Sequence, residues 1–160
     1  MKKNIRLVLL GELILFLAVF LFTIFISWGS SMQNIAYFLD IPSILLILLI
    51  LIPGLLIMGE WKDFIKSFSV GIKDFSLLEL KNIVEAVGAA QKLTIFGALF
   101  ASIVSLVLLL ARLSEPELIG PYLAVCILSC FYAVIIEFFL LPLKLNAERK
   151  MNEEMDLGDE

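Results

Sequence analysis

Long apolar runs without a single charge constrain this chain more than any other feature. Residues 43–56 and 95–110 are two of them. A helix on the surface of a water-soluble core keeps one polar face, and these runs have none. Across 160 residues, 61% are hydrophobic and 18% charged. A soluble domain has about 45–50% apolar and about 25% charged residues. The chain is therefore expected to be an all-α membrane protein.

A helix needs about 20 mostly apolar residues to cross a bilayer. Four segments qualify: 7–28, 41–58, 93–112 and 122–143. Lys2, Lys3 and Arg6 before the first give it the look of a signal peptide. Its apolar part is too long for one, and no small-residue cleavage pattern follows, so it is expected to be a retained span. Basic residues then set the orientation. Lys62, Lys66, Lys73, Lys81 and Lys92 lie between the second and third segments, and Lys144, Arg149 and Lys150 follow the fourth. The connections 29–40 and 113–121 contain no Lys or Arg. Positively charged segments stay inside. Both termini and the loop 59–92 are thus expected in the cytoplasm.

Several chemistries are excluded early. The chain has no histidine, which removes imidazole metal sites and Ser–His or Cys–His catalytic pairs. Cys126 and Cys130 stand i,i+4 in an apolar stretch, a spacing suited to helix packing rather than to a disulfide. No clustered constellation suggests an enzyme, a metal centre or an organic cofactor, and no basic face suggests nucleic acid. The net charge of −4 owes much to the acidic end. Residues 151–160 are expected to be a solvated, disordered tail beyond a single membrane domain over 1–150.

The loop 59–92 has structure of its own. Trp61, Phe64, Ile65 and Phe68 recur at i, i+3, i+4 and i+7, the pattern of a short amphipathic helix at the membrane interface, with Gly71 as its expected end. Ser76 followed by Glu79 is a capping-box signature. From there no proline interrupts the chain before Glu115, so the third span is expected to begin well inside the cytoplasm.

The spans divide into two chemical classes. The first two are bulky nearly all round and suit contact with lipid. The third carries Gly97, Ala101 and Ser105 at spacing four, with Ala98 and Ser102 beside them. The fourth carries Ala124, Cys126, Ser129, Cys130 and Ala133. Small residues at such spacing let helices approach closely in lipid. They serve either packing within one bundle or a subunit interface around a channel. Ionisable residues inside a membrane are functional candidates by default. Glu12 and Glu137 are such candidates, each with the alternative of reaching the headgroups, and Asp40 is placed to cap the second span.

Particular residues then resemble a known family. Phe38-Leu39-Asp40-Ile41-Pro42-Ser43 is similar to the start of the second helix in MotA-type flagellar stator subunits, and Trp61-Lys62-Asp63-Phe64 to the segment after it. In the second half, Leu113, Ile119-Gly120-Pro121, Ala124-Val125, Leu128 and Tyr132 follow the family's L-x₅-IGP-x₂-AV-x₂-L-x₃-Y pattern. Leu141-Pro142-Leu143 resembles its closing segment. The chain is identified by these residues as a member of the MotA/TolQ/ExbB proton-channel family. The resemblance implies a homopentamer in the bacterial cytoplasmic (inner) membrane, around a dimer of a single-span MotB/TolR/ExbD-like partner, conducting H+ or Na+. It implies that Ser102, Ser129 and Cys130, with Ser105 beside them, line the channel, and that Pro142 closes the fourth span; Gly97, Ala98, Ala101 and Ala133 are expected from their spacing to form the packing interface, and Pro121, Gly120 and Asp40 to act with Pro142 in gating or structure. The ion-binding aspartate would lie on the partner; Glu137 and Glu12, from their place in the apolar spans rather than from the resemblance, are the candidate ionisable relay in this chain. The chain departs from the family at Leu49–Leu51, where it has Gly-Gly-Thr, and in a loop of only about thirty residues. The short loop favours a TolQ/ExbB-like role over flagellar torque. A non-conducting oligomeric scaffold that retains the fold is the alternative.

Overall fold

The computed structural model describes residues 5–28 and 38–158. Among these residues five helices follow one another: α1 (Ile5–Trp28), α2 (Ile41–Met58), α3 (Trp61–Ser67), α4 (Leu77–Ala111) and α5 (Pro116–Gly158). Among the described residues the structure is helical apart from turns and one isolated bridge between Val70 and Lys73. α2, α4 and α5 are long and apolar enough to cross a membrane, and α1 contributes a shorter apolar stretch, Leu7–Thr23. Lys2 and Lys3, and most of the connection 29–40, lie outside the described residues.

Local chemistry explains where most helices start and stop. Asp40 has extended backbone and accepts the Ser43 amide on its carboxylate, so it caps α2 as expected, with Pro42 in the first turn. Pro in that turn costs nothing, because its missing N–H has no helical partner there. Gly59 ends α2 at φ +79, a left-handed conformation that lets its amide reach Leu55 and Leu56 carbonyls. Ser76 and Glu79 form the expected capping box at the start of α4. The Ser76 amide and hydroxyl both donate to Glu79 and hold its carboxyl below the ordinary range, with Lys66 3.6 Å away adding to the effect. Lys66 in turn is raised, chiefly by its hydrogen bond to Asp63.

Two boundaries differ from the sequence reading. α5 begins at Pro116 rather than near 122, because Pro at a helix start and Glu117 in the first turn both favour initiation. It also continues past 151 to Gly158, so the segment expected to be disordered is helical up to that point. Good helix formers there, together with the Lys150–Glu153 pair at 3.8 Å, extend the helix beyond its packed part.

α4 has 35 residues and so spans about 53 Å at 1.5 Å per residue. It packs along α5, and the two form the centre of the bundle. Its buried stripe runs from Leu80, Ile83 and Val87 through Ala90 and Thr94 to Gly97, Ala101 and Ser105. α2 lies against both, burying Ser43, Ile47, Leu51 and Leu55. It is therefore more enclosed than its uniformly bulky sequence suggests, since one face of a greasy helix can pack while the other meets lipid. α1 rests on α5 through an aromatic ladder, with Phe16 6.2 Å from both Phe138 and Phe139, and Phe20 6.0 Å from Phe131.

The loop after α3 is part of the folded unit. Val70, Leu80, Ile83 and Ala147 form a small buried cluster at that end of the bundle. Asn146 on α5 donates its side-chain amide to the Val70 carbonyl at 3.1 Å. Replacing Asn146 by Leu keeps the branched shape and leaves that buried carbonyl unpaired, at a cost of about 1–3 kcal/mol. Faster proteolysis and hydrogen exchange across 69–75, with α2 unaffected, are the expected results. Unchanged protection of the loop would show that the apolar cluster alone holds it.

Candidate functional site

Two features stand out among the described residues: a ladder of hydroxyls between α2, α4 and α5, and two cavities, one lined by Glu12 and the other by Glu137 with three further acids. In the ladder, Ser105 donates to the Tyr122 carbonyl at 2.7 Å. One turn along, Ser102 donates to the Cys126 carbonyl at 3.0 Å, with the Cys130 sulfur 3.4 Å away. Ser129 is fully buried, 2.8 Å from the Val125 carbonyl and 3.0 Å from the Ser43 hydroxyl. Ser43 also hydrogen-bonds the Asp40 carboxylate, so a continuous polar chain runs from the N-terminus of α2 to the middle of α5. Tyr132 closes it by donating to the Phe38 carbonyl and accepting the Asp40 amide, both at 2.6 Å.

The small residues explain how the ladder can form. A Cβ on Gly97 would stand 3.1 Å from the Ile47 Cα, so α2 touches α4 backbone to backbone there. Ala98 and Ala133 pack with Ile47 and Tyr132 in one buried cluster, and Ala101 is 2% exposed. Close approach puts serine hydroxyls within reach of neighbouring carbonyls, which is how polar side chains join helices in lipid.

Of the candidate channel-lining residues, Ser102, Ser105 and Ser129 thus point into the bundle of one chain and are hydrogen-bonded there. Cys130 differs in being exposed on α5, although its sulfur still meets the Ser102 hydroxyl. Gly97, Ala98, Ala101 and Ala133 are all buried. Gly120 and Pro121 are exposed near the start of α5, and a side chain at Gly120 would meet nothing within 4 Å. Pro142 is buried inside α5, which continues through it. Its missing N–H leaves the Phe138 carbonyl without the usual helical donor.

Glu12 and Glu137 are not brought together. Glu12 lines a cavity of about 200 Å³ between α1 and α5, with Pro142, Asn146 and Arg149. Glu137 lines a larger groove of about 710 Å³ between α4 and α5, with Glu60, Glu85, Lys92, Lys144 and Glu148. Each acid has one carboxylate oxygen that is shielded from solvent and has no hydrogen-bond partner among the described residues. Glu60, at the junction of α2 and α3, titrates above the ordinary carboxylate range, first through burial and then through the charges of Asp63 and Glu85.

Sequence reasoning had not singled out Ser43, Lys92 or Glu85. A signal existed for the groove: Glu85, Gly88 and Lys92 share one face of α4, and Glu137, Lys144 and Glu148 one face of α5. No family model, curated protein or solved structure matches the chain.

Proposed function

We propose that this chain is the channel-forming subunit of an ion-driven motor complex of the MotA/TolQ/ExbB type. It would cross the cytoplasmic membrane four times, with both termini and the α2–α4 loop inside, and assemble as a pentamer around a single-span partner dimer. One observation carries the reading. Leu123, Ile127, Cys130, Val134 and Leu141 recur along α5 at steps of four, three, four and seven. That spacing makes one face, and the apolar members up to Leu141 are exposed on the single chain. A seam of this spacing is what neighbouring helices interlock on.

In such an assembly a proton crossing 100 mV releases about 2.3 kcal/mol. Protonating a partner carboxylate removes the cost of burying its charge and lets that helix shift against the α4–α5 layer. Alternating occupancy of two partner carboxylates would step the pentamer around them. The scaffold reading has its own support. Ser102 and Ser105 already donate to α5 carbonyls and Ser129 already meets Ser43 of α2 within one chain, and bulky Leu51 is buried where the family has small residues.

The test is the mass of the purified protein in mild detergent, alone and co-purified with a single-span protein encoded beside it. A complex of several copies is expected, and a stable monomer under both conditions overturns the proposal. Proton flux in liposomes then separates conduction from scaffolding.

A further inference from the structure

The groove between α4 and α5 is chemically unlike the rest of the membrane-facing surface. Glu60, Glu85, Glu137 and Glu148 line it against Lys92 and Lys144, an excess of two acids over bases (four minus two). Lys144 lies 3.9 Å from Glu148, one turn along the same helix. Along α5, Glu137 lies about two turns further into the apolar segment than Lys144. Beside it on α4 are Gln91 and then Ile95, where the polar lining ends. Its Oε1 is shielded and has no partner among the described residues. A buried carboxylate oxygen without a donor is satisfied only by a proton on the carboxyl or by a water or cation that donates to it.

We infer that this groove is a water-filled proton passage and that Glu137, at its deep end, takes up and releases the proton. The carboxylate accepts a proton from a groove water to form one O–H bond and returns it by the same route. The groups facing it are Glu60 from the α2–α3 junction, Glu85 and Lys92 from α4, and Lys144 and Glu148 from α5. Their net negative charge raises the local proton concentration at the mouth. The passage is open beside Gly88, where a Cβ would meet nothing within 4 Å. The inference deepens the channel reading by giving this chain its own cytoplasmic proton-exchange group, and the cytoplasmic side assigned to the groove rests on that reading.

The test uses the full chain in lipid nanodiscs and the infrared C=O stretch of protonated carboxyls, followed over pH and on transfer to D2O. A band that titrates, disappears in Glu137→Gln and persists in Glu12→Gln is expected. Gly88→Trp fills the groove and should slow the D2O shift of that band, while Gly88→Ala leaves it fast. Glu85→Lys, at an exposed position by the mouth, should slow it too and covers the case in which Gly88→Trp does not fold. A band unchanged in Glu137→Gln, or a D2O shift equally fast in the folded groove variants, overturns the inference. Because this readout needs neither partner nor ion flux, it can fail while the channel proposal stands. A wild type that never conducts with its partner sinks the channel proposal and leaves the groove result to stand.

Discussion

Gly97→Leu is expected to lower stability by about 3 kcal/mol or more, at the severe end of the overpacking range. The reason is what the new atoms meet. A Cβ at this position lies 3.1 Å from the Ile47 Cα and 3.4 Å from its carbonyl oxygen. Backbone cannot rotate aside as a side chain can, so α2 must move off α4. Ile47 is fully buried and packs with Ala98, Tyr132 and Ala133, and all of those contacts loosen together. Two other glycines set the scale. A Cβ at Gly54 meets the side-chain end of Leu93 at 2.8 Å, which a rotamer change relieves, so Gly54→Ala should cost less. Gly88→Leu should be nearly neutral for stability, since nothing lies within 4 Å. Thermal unfolding in detergent should give the order Gly97, Gly54, Gly88. Equal melting temperatures for the Gly97 and Gly88 variants would mean that the α2–α4 contact is not the tight one.

Tyr132→Phe is expected to cost about 2 kcal/mol, from two hydrogen bonds removed at one partly buried site. The Tyr132 hydroxyl donates to the Phe38 carbonyl and accepts the Asp40 amide. It therefore holds the entry to α2 against α5 across 92 and 94 residues of chain. Phenylalanine preserves the ring packing with Phe131 and removes only the hydroxyl. The Asp40 amide should then exchange faster with solvent, while amides in the middle of α4 keep their protection. If exchange rises equally along α4, the hydroxyl supports the whole bundle rather than this junction. The same variant should also disturb the Asp40–Ser43–Ser129 chain, because the Asp40 carboxylate that anchors it is carried on the freed segment.

Much of the helical layout was legible in residues alone. Asp40 and Ser76 announce helix starts because a side-chain oxygen one turn before an apolar run satisfies amides the helix cannot. The spacing of Trp61, Phe64 and Phe68 announced α3, whose observed range ends at Ser67. The start of α5 was less legible. Glu115, Pro116 and Glu117 looked like a loop from composition, yet proline and acid are favoured in a helix's first turn. The acidic end was misjudged for a related reason: like charges suggested disorder, whereas Glu153 and Glu154 are good helix formers continuing a helix already nucleated.

The candidate site was legible only as residue types. Sequence singled out Ser102, Ser105, Ser129, Glu12 and Glu137 as polar groups in apolar surroundings, because a polar side chain at membrane depth is costly wherever it points. What they touch could not be read. Small residues at spacing four fit a neighbouring subunit and a neighbouring helix of the same chain equally well, since periodicity specifies a face and never its partner.

The sequence by itself determined that this chain is helical and apolar enough for a membrane, because the length of an uncharged run and the need to satisfy every backbone group in lipid are local demands. Tertiary structure alone decided that the small residues of α4 close on Ile47 and on α5 within one chain, turning the serines inward. It also decided that Glu12 and Glu137 occupy separate cavities. Those outcomes depend on which backbones approach within a side chain's width, a property of surfaces distant in sequence that no single helix encodes.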